Sequence, residues 1–179
     1  MKLLQLFIIG LASIGWITKM QATTVTISHN SCKTVGANET KPYQSVENLE
    51  VVLGEGTECI GVGAFKNFKN LVSVTYNGEN SVQIAAGAFY GCCNLTKLSI
   101  PVTGAIGRYS FYNCASLQRL DLPYTTFLSP KSFVNCENLQ TVRVSENCTG
   151  ISDAFENCPK IQVEKVSLHK SLQDLDLLP

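Results

Sequence analysis

Tryptophan and histidine are nearly missing from this 179-residue chain, which has one Trp, at position 16, and two His, at 29 and 169. Cys–His or Ser–His–Asp catalysis needs partners within hydrogen-bond reach, and two histidines at opposite ends of the chain offer little for it. His29 reads as a solvated loop residue and His169 as a polar member of the tail, so no enzyme is expected. Excess charge is missing too. Fourteen Lys and Arg balance fourteen Asp and Glu, whereas a nucleic-acid binder usually carries a basic surplus. A phosphate-cradling loop is also lacking. "GEGTECIGVG", from Gly54, has neither the Lys-Ser/Thr ending nor the strand–helix setting, and its Gly61 and Gly63 read as turn residues. No cofactor is implied.

Only one long apolar run is present, and it stands at the start. Met1-Lys2 is followed by nearly unbroken apolar sequence from Leu3 to Ile17, then by polar Thr18 to Gln21 and small Ala22. That order is the layout of a secretory signal, too short to span a bilayer. A cut after Ala22 leaves 157 residues, with 12 basic against 14 acidic side chains and no tryptophan. This length suffices for one real core. The ending, "HKSLQDLDLLP", is too polar for a spanning helix or a glycolipid-anchor signal. The expected product is exported, extracellular or retained at the cell surface, with no membrane span after signal removal.

The rest repeats itself. Phe65, Phe89, Phe111, Phe133 and Phe155 are separated by steps of 24, 22, 22 and 22 residues. A small residue precedes each one: Ala64, Ala88, Ser110, Ser132, Ala154. Three residues later comes Phe68, Cys92, Cys114, Cys136 or Cys158, and three further on Leu71, Leu95, Leu117, Leu139 or Ile161. Positions i, i+3 and i+6 share one side of a short helical turn. An Asn or Gly two residues after the Phe helps the chain leave that turn. The spacing then changes to period two, as in Val74 with Tyr76, Leu98 with Ile100, Leu120 with Leu122 and Val142 with Val144, which predicts short strands. The fifth unit drifts: its inward position falls on Glu164, with Val163 and Val166 close by.

"GAFYGCCNLTKLSIP" and "SFYNCASLQRLDLP" resemble the leucine-rich repeats of the BspA-like (Treponema pallidum-type) family, over Leu49 to about Val166. The implied fold is an α/β repeat solenoid. A curved parallel sheet lines its concave face, and short helical or irregular turns form the convex one. Each unit buries its apolar side against its neighbours. The expected organisation is a signal peptide over 1–22, an N-terminal cap and first strand over 23–59, five repeats over 60–166, and a C-terminal cap over 167–179. In that cap Leu168, Leu172, Leu175 and Leu178 stand at helical spacing.

All eight cysteines follow the cut, and an even count in an oxidising compartment invites disulfides. Abundant Leu, Val, Ile and Phe leave that reading unforced. Cys92, Cys114, Cys136 and Cys158 fill one repeat position that also accepts Phe68, which marks them as buried thiols in a parallel row. A tetrahedral metal site needs ligands that converge, so no metal is expected. Cys32 and Cys59, both near the front cap, are the candidate disulfide. Cys93 and Cys148 do not recur, and pairing with each other, staying free and bridging molecules all remain open. Three sequons, at Asn38, Asn94 and Asn147, are candidate glycosylation sites. Asn38 reads as a loop residue. Asn94 recurs as Asn70 and Asn138, and so reads as a backbone-bonding repeat residue.

A solenoid binds with its outward strand positions, here Lys97, Ser99, Arg119, Asp121, Thr141, Arg143 and Lys165. Lys97, Arg119, Arg143 and Lys165 would form a mild positive stripe, diluted by Asp121; the plainer reading is a solvated sheet face. Family resemblance implies a microbial protein that binds other proteins, in adhesion to host extracellular matrix or cell-surface proteins. The alternatives are a soluble effector or decoy blocking a host or competitor protein, and a surface-coat structural component.

Overall fold

In the computed structural model of the chain, residues 22–27 and 33–167 are described. The period-two segments form the front of a coil. Strands β1 (Thr23–Ile27), β3 (Leu49–Leu53), β5 (Leu71–Tyr76) and β7 (Lys97–Ser99) make one parallel sheet in that order. Strands β9 (Arg119–Leu122), β12 (Thr141–Ser145) and β14 (Gln162–Val166) continue it as a second. Successive residues face opposite ways, so Val25, Val51, Val74 and Leu98 align on the core side. Leu120, Val142 and Val163 do the same in the second sheet.

The back is a third parallel sheet. It consists of β2 (Thr34–Val35), β4 (Cys59–Ile60), β6 (Val82–Ile84), β8 (Val102–Ile106) and β10 (Tyr124–Leu128). The side carrying the phenylalanines is a ladder of stacked turns. Phe65 N–H donates to the Ala88 carbonyl at 2.7 Å, Phe89 to Ser110 and Phe111 to Ser132, both at 2.8 Å. At its far end β11 (Phe133–Val134) pairs with β13 (Phe155–Glu156). The solenoid is as expected, but helix is scarce: α1 (Ala37–Thr40), a 3-10 turn at Lys41–Tyr43, and α2 (Ile151–Ala154). The reason is local. Each of the first four Phe turns holds two left-handed residues, and a left-handed residue stops a right-handed helix; the fifth has one, Asn157, and there α2 forms. Asn67, Asn113, Asn135 and Asn157 have φ of 54–62°, and Gly63, Gly87, Tyr109 and Lys131 have 56–63°.

Between the three sides the phenylalanines stack. Ring centroids from Phe65 through Phe89, Phe111 and Phe133 to Phe155 are 5.4, 5.3, 5.0 and 5.0 Å apart. The first four rings are fully buried and Phe155 is half-buried. Ahead of each ring, Ala64, Ala88, Ser110, Ser132 and Ala154 are all sealed in. Among the described residues the Ser110 and Ser132 hydroxyls have no hydrogen-bond partner, so the position selects for small size and tolerates a hydroxyl.

Two expectations change at the ends. Segment 33–53 is itself a coil, with β2 in the back sheet and β3 in the front. In place of the Phe turn it has α1, whose Thr40 hydroxyl donates to the Ala64 carbonyl. Asn38 is therefore an exposed residue of a one-turn helix, where a loop was expected. In the last coil the register places Val163 against Val142, Glu164 against Arg143 and Lys165 against Val144. The inward position falls on Val163 and not on Glu164, and Lys165 leaves the outward row. A one-residue slip turns every side chain over, and burying Val163 in place of a carboxylate favours this setting. The signal segment up to Gln21, together with His29, Cys32, His169 and all of the C-terminal cap except Ser167, lies outside the described residues.

Candidate protein-binding faces

Two rows of side chains leave the front sheets. One runs through Glu50, Ser73 and Lys97 and continues as Arg119, Thr141 and Gln162. The other runs through Val52, Thr75 and Ser99 and continues as Asp121, Arg143 and Glu164. Arg143 does not extend a positive stripe. Its Nη1 lies 3.1 Å from Asp121 Oδ2 and its Nε 3.6 Å from Glu164 Oε2. Such exposed pairs contribute about 0–1 kcal/mol to stability, but they neutralise the guanidinium. With Lys165 on the other side of the strand, the charge free to meet a partner narrows to Lys97 and Arg119. Both are exposed, and among the described residues neither is ion-paired.

The cysteine row is buried and has a bonding role. Cys92, Cys114, Cys136 and Cys158 donate their thiol hydrogens to the carbonyls of Phe65, Phe89, Phe111 and Phe133, at 3.0, 3.2, 3.1 and 2.9 Å. Each thiol ties its coil to the one before. Beside the row runs an amide ladder, in which Asn157 donates to Asn135 and Asn135 to Asn113, each at 2.8 Å. Burial pushes the Cys92 thiol up to about 12 and Cys114 well above its ordinary value. Cys136 is also raised, by the Cys158 thiol beside it and then by burial. Cys158, the last of the row and the least enclosed, is lowered by the neighbouring Cys136 thiol.

These thiols set a reactivity order and a pH dependence. Alkylation of the native protein at pH 8 is expected to reach Cys158 before Cys92, Cys114 and Cys136. Denaturant without reductant should open all four, as read by peptide mass mapping. Continued protection in denaturant would mean disulfides. Between the 9.0 of a free thiol and about 12, the unfolded chain releases the Cys92 proton while the folded chain keeps it. Stability is therefore expected to fall as pH rises through that window.

Among the described residues no disulfide forms and no three metal-ligating side chains converge. Cys93 is half-buried. Cys148 is 1% exposed, its thiol pushed up by burial and pulled back in part by the Lys165 ammonium. Cys59 is half-buried, and its candidate partner Cys32 lies outside the described residues. Asn94 and Asn147 are exposed. Asn138 does donate to a backbone carbonyl, that of Ala115 at 3.0 Å, but the Asn94 amide makes no hydrogen bond among the described residues.

One surface cluster escapes sequence reasoning. Lys66, Tyr90 and Tyr112 follow the stacked phenylalanines by one residue and so point outward. Tyr90 and Tyr112 stack at 4.6 Å, and Tyr109 meets Tyr112 edge-on at 6.0 Å. The Lys66 ammonium sits 5.1 Å over Tyr90, and the Arg108 guanidinium 4.8 Å from Tyr109. The available signal was the recurrence of Tyr at 90 and 112, one repeat apart.

Comparison with known proteins agrees with this architecture. A leucine-rich cell surface protein from Faecalibacterium prausnitzii A2-165 superposes with a TM-score of 0.59 at 23% identity, over 73% of this chain and 35% of that one. A T. pallidum leucine-rich repeat protein superposes with a TM-score of 0.55 at 19% identity, over 78% of this chain and 63% of that one. The chain thus spans less than two thirds of either protein. No curated protein sequence matches. Among the described residues no helix is long and apolar enough to cross a membrane. The model of the BspA-type leucine-rich repeat region matches residues 38–162 in six copies, one more than the five phenylalanine units. This chain belongs to the BspA-type leucine-rich repeat family, whose repeats generally bind proteins.

Proposed function

We propose that this chain is an exported, non-catalytic protein-binding module that acts at a microbial surface, in attachment to host matrix or cell-surface proteins. The observation that carries this reading is the front face. Its strands present straight outward rows in which Lys97 and Arg119 keep their charge unpaired among the described residues, flanked by Ser99 and Thr141. Side chains in parallel columns suit a long, shallow contact with another protein; they do not converge on one reacting atom, as catalysis requires. The apolar segment 3–17 and the cell-surface relative support export. The test is capture of extracellular-matrix proteins on the immobilised protein, compared with Lys97→Glu/Arg119→Glu. One or a few proteins are expected on the wild type, with roughly tenfold weaker retention on the variant. Equal retention by both, or none by the wild type, would overturn the front-face reading.

A further inference from the structure

We infer that Lys66, Tyr90, Arg108, Tyr109 and Tyr112, on the turn side, form a docking face for an extended acidic segment of a partner protein. The inference rests on the protein-binding reading but uses a different side of the coil. Three tyrosines lie in a continuous chain of contacts with a cation at each end: Lys66, Tyr90, Tyr112, Tyr109, Arg108. Both cations are exposed, and among the described residues neither is ion-paired. By contrast, Lys131 on the same side is bound to Glu156 at 3.2 Å. Arg108 also donates to the Tyr109 hydroxyl at 3.2 Å, but among the described residues no carboxylate neutralises either charge, so both remain available to an acidic partner.

Tyr109 adds a separate observation. It holds φ of 56° at a position where the two preceding coils have Gly63 and Gly87. The next coil has Lys131 there at 60°, so the turn accepts a side chain at this position, and what sets Tyr109 apart is its ring. Among the described residues the ring of half-buried Tyr109 meets only Tyr112 and Arg108, so it belongs to the surface cluster and not to the core.

The geometry selects the class of partner. Tyr112 and Lys66 cover the ring of Tyr90, the Tyr109 hydroxyl accepts from Arg108, and the Tyr90 and Tyr112 hydroxyls have no partner among the described residues. Ring rims carry the positive side of the quadrupole, and with two cations they attract carboxylates. A sugar ring would need an open aromatic face. Lys66 and Arg108 stand two coils apart, about 10 Å along the solenoid axis at the usual strand spacing and offset from each other along the turn, a reach that suits a few residues of extended chain. Val62, 75% exposed on the same coil as Lys66, offers an apolar contact at one end.

The probe is a fluorescent twelve-residue peptide with Glu at every third position, set against a Lys counterpart and heparin, with anisotropy as the readout. The wild type is expected to bind the Glu peptide and not the Lys peptide, more weakly as salt rises. Lys66→Glu/Arg108→Glu should weaken binding roughly tenfold, and Tyr112→Phe should weaken it while keeping the stack. Lys97→Glu/Arg119→Glu should leave it unchanged. An unaltered thermal midpoint establishes that each variant is folded. Failure to bind the Glu peptide, equal binding by Lys66→Glu/Arg108→Glu, or preference for heparin would overturn the inference. Retention of matrix proteins by Lys66→Glu/Arg108→Glu would leave the general protein-binding reading standing without this face.

Discussion

Phe111→Ala is expected to lower the free energy of unfolding by about 3–5 kcal/mol, the range for truncating a fully buried phenylalanine. The ring is completely enclosed, 5.3 Å from Phe89 on one side and 5.0 Å from Phe133 on the other. Its backbone N–H is also fixed, to the Ser132 carbonyl at 2.8 Å, so the turn cannot collapse to fill the void. In a solenoid each coil is held by its two neighbours, and this substitution weakens both interfaces of a central coil. Urea unfolding followed by circular dichroism reads the change. A shift within about 0.5 kcal/mol would mean that the Phe column does not hold the coils together.

Gly150→Ala is the second large effect, at about 2–4 kcal/mol, combining left-handed strain with overpacking. Gly150 has φ of 78°, and a Cβ there would meet the Leu128 carbonyl oxygen at 2.2 Å. That oxygen is backbone, held in place because Leu128 N–H bonds the Thr149 carbonyl at 3.0 Å. Gly104 serves as the control: its φ is 74°, but a Cβ would meet nothing within 4 Å. Gly104→Ala should therefore cost only the conformational part, about 1–2 kcal/mol. If the two substitutions proved equally costly by urea unfolding, close approach would not be the reason for glycine at 150.

The core columns were legible in the sequence because every coil must bury the same positions. Phe, Cys and Leu recur at fixed intervals whatever the outer residues do. The thiol-to-carbonyl bond was not legible, since its acceptor lies one coil earlier and only the stacking brings the two together. For that reason Cys92 reads as a small hydrophobe in the sequence and as a donor in the fold. The end coils departed for a different reason. Coil one replaces the Phe turn with α1, so its membership in the stack shows only through pairing of β2 and β3. At β14 the phase of the earlier units points to Glu164, but the core takes Val163, and Lys165 moves with it. The tyrosine cluster was hidden because its column reads Lys66, Tyr90, Tyr112, Val134, Glu156, a mixture with no single chemical character.

The sameness of coil-to-coil contacts bears on how such a chain can grow. Each phenylalanine, each thiol and the asparagines from Asn113 onward meet their own kind, or an equivalent carbonyl, in an adjacent coil. Removing residues 114–135 would bring Phe111 against Phe155 and Asn113 against Asn157, like for like. Recombination between coils can thus lengthen or shorten the gene product by whole turns while every surviving turn keeps its neighbours. A single inserted residue within a turn has no such freedom, because it would rotate one column out of line with all the others. Length is open to variation by whole turns, whereas extra residues inside a turn must be looped out of the columns, as in the 24-residue step from Phe65 to Phe89.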